Sequence, residues 1–480
     1  MTIDALSDDV FLEIFAIYFQ LCDEPESNLD LAQNMRRWKL LVQVSQRWRR
    51  IICASPRYLD LHLYCNNEIG IPVKDLGYWP TFPISLSYRI PTYEDDVIAI
   101  LRNSGRVIEI QLWITKWGKV LAAMQEPFPA LTRLCLNWDS NPKRKSPVLP
   151  SGFLGGSAPC LKSIELRYVP FPELPTLLLS TRDLVSLRLK SMPPTGFISP
   201  EAMVAGLAVL TRLEVFEIDF EQWDPRTKPR RRRPDPPTRA VLPALTHFEF
   251  GGCTEYLDDL VSEIDAPRLR HVSMSLDRLD FLRVPPFFQF IGRTEIPGFG
   301  RVKLDFTSGD DAPEFNIGLR VDLNHQSDPD CHFLPPFVIS ASFDWSGTHV
   351  AHITLVLTQI FTMCPEVEFL HILVSDDHPG WDDDIDSSSW LSFFRLFPTV
   401  TTLHISGTFA AQVARALEDV PEEMATEVLP SLHTLILELE TEEEEEEEEL
   451  VPAEQFVSLR QLNGRPVTIR DCALDETEEI

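Results

Sequence analysis

The sequence predicts an α/β chain: a short helical module at residues 1–63, then a long solenoid of strand and helix units forming a curved parallel sheet with helices outside. Three observations carry that prediction. The first 63 residues place apolar side chains at helical spacing. From about residue 100 an apolar hexad recurs, mostly at intervals of 23 to 33 residues. Proline stands two residues ahead of most of these hexads.

In the first module, Ser7 is placed to cap a helix whose first turn holds Asp8 and Asp9, where the helix dipole favours negative charge. Its apolar positions are Val10, Phe11, Ile14, Phe15, Tyr18 and Leu21, and Leu12, Ile17 and Phe19 lie off that stripe. A polar break, CDEPESN, precedes a second helical pattern through Trp38, Leu41, Val42, Ser45, Trp48, Ile51 and Ile52, which Pro56 stops. About 60 residues cannot hide so much apolar surface alone, so the excess is expected to meet the rest of the chain or a partner.

The runs LSDDVFLEIF and WKLLVQVSQRWRRIICASPRYLDLHL resemble an F-box of the form abundant in basidiomycete fungi, with a spacer between its first two helices. Leu6, Asp8, Val10, Leu12, Ile14, Phe15, Leu41, Val44 and Trp48 match the family pattern, whereas Ser7 replaces its proline and Ser45 its cysteine. The resemblance implies a three-helix element that docks on a Skp-family adaptor and, through it, a cullin. Leu6, Val10, Leu12, Ile14, Phe15, Leu41, Val44 and Trp48 would form the adaptor-binding set. The bottom-up alternative is a helical cap on the solenoid, since repeat proteins need polar-faced ends. The cluster Arg36, Arg37, Trp38, Arg47, Trp48, Arg49 and Arg50 raises nucleic acid, but seven basic against nine acidic residues in this module favour a solvated helix face.

The hexad Φ-x-x-Φ-x-Φ, with Φ apolar, has anchors at Val107, Leu131, Leu161, Leu184, Leu213, Leu245, Leu269, Phe299, Val367, Val400 and Leu432. Nine of the ten steps are 23 to 33 residues, and Phe299 to Val367 is 68. Pro129, Pro159, Pro243, Pro267, Pro297, Pro365, Pro398 and Pro430 stand two residues before their anchors, which predicts a helix stop ahead of each short strand. The units resemble long, irregular leucine-rich repeats. Helices are expected at 202–210, 257–264, 390–397 and 411–417. The long step holds three β-rich runs, VKLDF, FNIGLRVDL and FVISASFDW, expected as extra strands of the same sheet, then a helix at 349–364. The expected layout is therefore an F-box at 1–63, a connecting segment at 64–100, a leucine-rich-repeat-like domain at 101–471 and an acidic tail at 472–480.

Charge is uneven. Of a formal −30, residues 436–480 carry −13, including eight consecutive glutamates at 442–449, which mutual repulsion keeps in solvent. The opposite sign gathers in the proline-bounded loop 224–237, where Lys228, Arg230, Arg231, Arg232 and Arg233 resemble an import signal or a grip for an acidic partner. The acidic balance argues against general nucleic-acid or membrane binding. Nine cysteines without a C-x-x-C pair, no N-x-S/T sequon and no basic n-region point to an intracellular chain, in cytoplasm or nucleus. The acids between Asp376 and Asp386 lack EF-hand spacing, and no catalytic or phosphate-loop motif is present. No active site, metal or cofactor is expected. The sequence reads as the substrate-recognition subunit of an SCF-type ubiquitin ligase, a binding protein and not an enzyme, or alternatively as a stand-alone repeat scaffold.

Overall fold

The computed structural model describes residues 6–20, 37–66, 71–89, 93–114, 118–138, 147–221, 239–276, 285–294, 299–308, 314–323, 337–344, 367–374, 387–406, 409–438 and 453–470. The chain forms two compact units, Met1–Gln222 and Trp223–Ile480. The basic loop, the glutamate run, the helix expected at 349–364, the acids at 376–386 and the tail at 472–480 lie outside the described residues.

The first unit opens with helix α1, Asp8–Gln20, whose Val10 N–H donates to the Ser7 hydroxyl at 3.4 Å, as the capping pattern predicts. The single second helical run expected up to Pro56 is two helices, α2 at 37–44 and α3 at Gln46–Ala54. Ser45 makes the break. Its backbone is extended, with φ −155°, and its hydroxyl accepts the Trp48 N–H at 3.1 Å. A cysteine at this point would be a much weaker acceptor.

Strands β1 (Leu63–Asn66), β2 (Ile84–Arg89), β3 (Val107–Ile114), β4 (Arg133–Trp138), β5 (Ser163–Arg167), β6 (Ser186–Met192) and β7 (Val215–Phe220) follow. Each pairs in parallel with the next in chain order. Helices α4 (Glu94–Leu101), α5 (Gly118–Ala123), α6 (Leu174–Leu178) and α7 (Pro200–Leu207) lie between strands. The ladder thus starts with β1, across the boundary between the expected F-box (1–63) and connecting segment (64–100), and β2 lies wholly within that segment. β1 and β2 escape the hexad because their apolar residues simply alternate, Leu61, Leu63, Cys65 and Ile84, Leu86, Tyr88, with Asp60 and Thr81 where an anchor would stand.

Hexad register becomes core register. Ile110, Leu134, Ile164, Leu187 and Phe216 are successive partners across β3 to β7, and so are Leu112, Leu136, Leu166, Leu189 and Ile218. All ten are buried, and so are the anchors Leu131, Leu161, Leu184 and Leu213. The prolines do a different job from the one expected. The Leu131 N–H donates to the carbonyl of Phe128, so Pro129 is the second residue of a β-turn, not a helix stop. Leu161, Leu245, Leu269, Val400 and Leu432 repeat this bond to Ala158, Leu242, Ala266, Phe397 and Leu429, at 3.1 to 3.5 Å except for 3.0 Å at Leu432. Proline suits the second turn position because its φ is already near −65°. Thr181 and Leu210 close the same turn for Leu184 and Leu213 without proline.

In the second unit, β8 (Ala240–Val241) and β10 (Ile264–Asp265) form a two-strand ladder of their own. The main strands are β9 (His247–Gly252), β11 (His271–Leu276), β12 (Phe299–Ser308), β13 (Glu314–Leu323), β14 (Phe337–Asp344), β15 (Phe369–Val374), β16 (Thr402–Ser406), β17 (Thr434–Glu438) and β18 (Thr468–Arg470). Their order is β9-β11-β14-β13-β12-β15-β16-β17-β18. Helices α8 (Thr254–Ser262) and α9 (Pro285–Gly292), with those at Ser387–Phe394, Phe409–Glu418 and Glu454–Leu462, alternate with strands.

The three β-rich runs of the long step are β12, β13 and β14, in the same sheet as expected. The sheet is nevertheless not wholly parallel: β13 runs antiparallel to both neighbours, while β14 is parallel to β11 and β12 to β15. A strand–helix unit needs a long crossover to keep strands parallel, whereas a meander reverses direction at every turn.

Candidate interaction surfaces

In the N-terminal helices, α1 carries two apolar stripes about one residue apart. Phe11, Phe15 and Phe19, four residues apart, are buried together with Trp38, Val42, Ile51 and Ile52. The Trp48 indole, half-buried, closes on this cluster, 5.7 Å from Phe11 and 5.0 Å from Phe15 between ring centroids. Trp38 extends it to the sheet, its ring 4.8 Å from Trp79 and 4.9 Å from Phe82. The second stripe faces solvent: Val10, Ile14, Ile17 and Tyr18, with Leu40 and Val44 on α2, are each between 40% and 63% exposed.

The eight residues expected to bind an adaptor therefore divide. Val10, Ile14 and Val44 are exposed; Leu6, Leu12 and Leu41 are half-buried. Phe15 is only 2% exposed, and Trp48, half-buried, packs beside it, so both brace the module's interior. Ile17 and Leu40 belong to the open stripes instead. Phe11, Phe15 and Phe19 make the inner stripe of α1, and Val10, Ile14, Ile17 and Tyr18 the outer one.

Three arginines of the module's basic cluster make contacts within it. Arg47 donates to the Asp8 carboxylate at 2.8 Å and to the Leu6 carbonyl at 2.6 Å, with its guanidinium 4.8 Å from the centre of the Phe11 ring. Arg49 donates to the Val42 carbonyl at 3.0 Å, and Arg50 lies 3.4 Å from Asp8. Tyr58 donates to Glu13 at 2.5 Å. These contacts fasten α3 and the chain after it to α1.

The other surface is the sheet face of the first unit that carries the strands' polar side chains. Its rows can be followed through the register. Ser85, Glu109, Arg133, Ser163 and Ser186 form one row, and Ser87, Gln111, Cys135, Glu165, Arg188 and Glu217 the next. Arg89, Trp113, Asn137, Arg167 and Lys190 form the third. Ser85 donates a short hydrogen bond to Glu109, which also lies 3.3 Å from Arg133. Glu217, only 12% exposed, holds both Arg188 and Lys190 at 2.9 Å.

Burial pushes the Cys135 thiol up to about 11, with the neighbouring Glu165 adding to the effect, which is the reverse of an activated nucleophile. Among the described residues no group of three or more His, Cys, Asp or Glu could hold a metal, and no helix is long and apolar enough to cross a membrane. No family model matches the chain, and no curated protein matches it.

Proposed function

We propose that this chain is the substrate-recognition subunit of an SCF-type ubiquitin ligase, with an F-box at its N-terminus and a leucine-rich-repeat-like domain behind it. α1 and α2 dock on a Skp-family adaptor, and the repeat sheet receives a protein substrate. Ubiquitin transfer then follows from proximity, the chemistry residing in other subunits. One observation carries the reading: Val10, Ile14, Ile17, Leu40 and Val44 stay in solvent after Phe11, Phe15 and Phe19 have filled the module's interior. A helix that merely caps a solenoid needs a polar outer face, while one that docks in a partner's groove presents aliphatic anchors at i, i+4 and i+7.

The test is capture of a Skp-family adaptor by the full chain and by an Ile14→Asp, Val44→Asp variant. The full chain is expected to retain adaptor and the variant to lose it at an unchanged melting temperature. Failure of the full chain to bind adaptor overturns the proposal.

The scaffold reading has its own supporting contact, Trp38 packed on Trp79 and Phe82. Because of that contact, deleting residues 1–63 would expose core and aggregate the remainder under either reading. The surface double variant discriminates, since a mere cap gives no adaptor capture to lose.

A further inference from the structure

The third row of the first unit's polar sheet face differs in sign from the chain as a whole. Arg89, Trp113, Asn137, Arg167 and Lys190 stand side by side from β2 to β6. Among the described residues Arg89 has no carboxylate partner, and its guanidinium lies 5.5 Å from the centre of the Trp113 ring. Arg167 reaches Glu165 only at 3.9 Å. Lys190 shares Glu217 with Arg188, two cations on one carboxylate. The acid beyond the row, Asp219, accepts the Ser191 N–H at 3.0 Å. The neighbouring acids are thus engaged, and a positive remainder is left between Arg89 and Lys190.

We propose that this row binds an extended acidic segment of the protein substrate, lying across the strands with Asp or Glu at positions i and i+4. The inference rests on the receptor reading above and gives the class of its substrate. Three ladder spacings separate Arg89 from Arg167, about 14 Å at roughly 4.8 Å each, and four residues of extended chain rise about 13 Å. Side chains at i and i+4 of a strand share one face, so both acids point at the sheet. The residue at i+2 falls over Asn137 and Trp113, where an amide can pair with peptide main chain and an indole can cover an apolar side chain. Guanidinium forks and carboxylates match in geometry, which gives the contact direction as well as charge.

The experiment is fluorescence anisotropy on the full chain with a fluorescein-labelled peptide carrying glutamates at i and i+4 and leucine at i+2. Controls are the same peptide with lysines for the glutamates, and a single-stranded oligonucleotide. The acidic peptide is expected to bind, to weaken as salt is raised, and to lose about tenfold in affinity in an Arg89→Gln, Arg167→Gln, Lys190→Gln variant that melts like the parent. Should that variant not fold, Arg89→Gln alone, at an exposed position, carries the comparison. Equal binding of the lysine peptide, unchanged affinity in the folded variants, or tighter binding of the oligonucleotide overturns the proposal. Adaptor capture is read separately through Ile14 and Val44, so failure of one inference leaves the other standing or falling on its own result.

Discussion

The indole of Trp48 stands edge-on to the ring of Phe15, centroids 5.0 Å apart and planes at 65°, with Phe11 5.7 Å from the same indole. The motif tryptophan is therefore an internal brace between α3 and α1. Trp48→Ala should destabilise the module by about 3 kcal/mol, and Phe15→Ala by a similar amount, read as lower urea midpoints. Under the proposed function, adaptor binding lost in these variants should return when the module is refolded by a stabilising osmolyte, whereas loss through Ile14→Asp should not.

Ser45 separates α2 from α3 and caps α3 with its hydroxyl. Ser45→Ala should cost about 1 kcal/mol, and Ser45→Asp, which keeps an acceptor at the cap, should cost little. Thermal melts of the two variants check this.

The Arg460 guanidinium is fully buried and donates to the backbone carbonyls of Ala425, Pro430 and Leu432 at 3.4, 3.4 and 3.0 Å. Three acceptors on one planar fork are a task for arginine, not for an ammonium point charge. Arg460→Met should leave the Ala425 and Leu432 carbonyls unpaired, while Pro430 keeps its bond from Arg465 at 3.0 Å, and should destabilise the second unit by several kcal/mol, at about 1–3 kcal/mol for each carbonyl left bare. Arg460→Lys should rescue only part of that, as measured by chemical denaturation.

Burial pushes the Cys65 thiol up to about 12 from an ordinary 9. The folded chain keeps that proton where the unfolded chain releases it, so the associated stability is complete below pH 9 and is lost as pH rises towards 12. Cys65→Val should flatten the alkaline decline in that window. Mass-spectrometric mapping after iodoacetamide treatment should find Cys160, which is exposed, modified well before Cys65.

Gly155 adopts φ +67°, and a Cβ there would meet Pro127 Cγ at 2.9 Å and its backbone at 3.0 Å. Gly155→Ala should lower stability by about 1–3 kcal/mol through strain and overlap together. A drop in melting temperature with no change in adaptor capture checks it.

Much of this fold could be read from the chain. The hexad locates strands because, among the described residues, the anchors and the two apolar residues after them land in the interior, and six of the prolines mark phase because they sit in the turn that delivers the anchor. What escaped reading has physical causes. β1 and β2 have Asp60 and Thr81 where the apolar anchor would stand, so nothing in their sequence announces the repeat. The reversal of β13 depends on which edge pairs with which, a choice that apolar alternation leaves open. At the candidate site, spacing shows that α1 has more apolar surface than one face can hide. It does not show which stripe the aromatic residues of α2 and α3 will cover; the structure covers Phe15 and leaves Ile17 and Leu40 open.

The meander of β12, β13 and β14 obeys a rule of parity. With an odd number of strands inserted, the first and last run the same way, so β11 and β15 each find a parallel edge beside them. An even number would present one of those flanks with an opposed strand and break the sense of the ladder. Three is the smallest odd insertion that contains a reversal, and β11 and β15 keep the polarity they would need to pair directly. The stretch between them is thus a cassette: a shortened chain that rejoined β11 to β15 would restore an all-parallel ladder without reversing either strand.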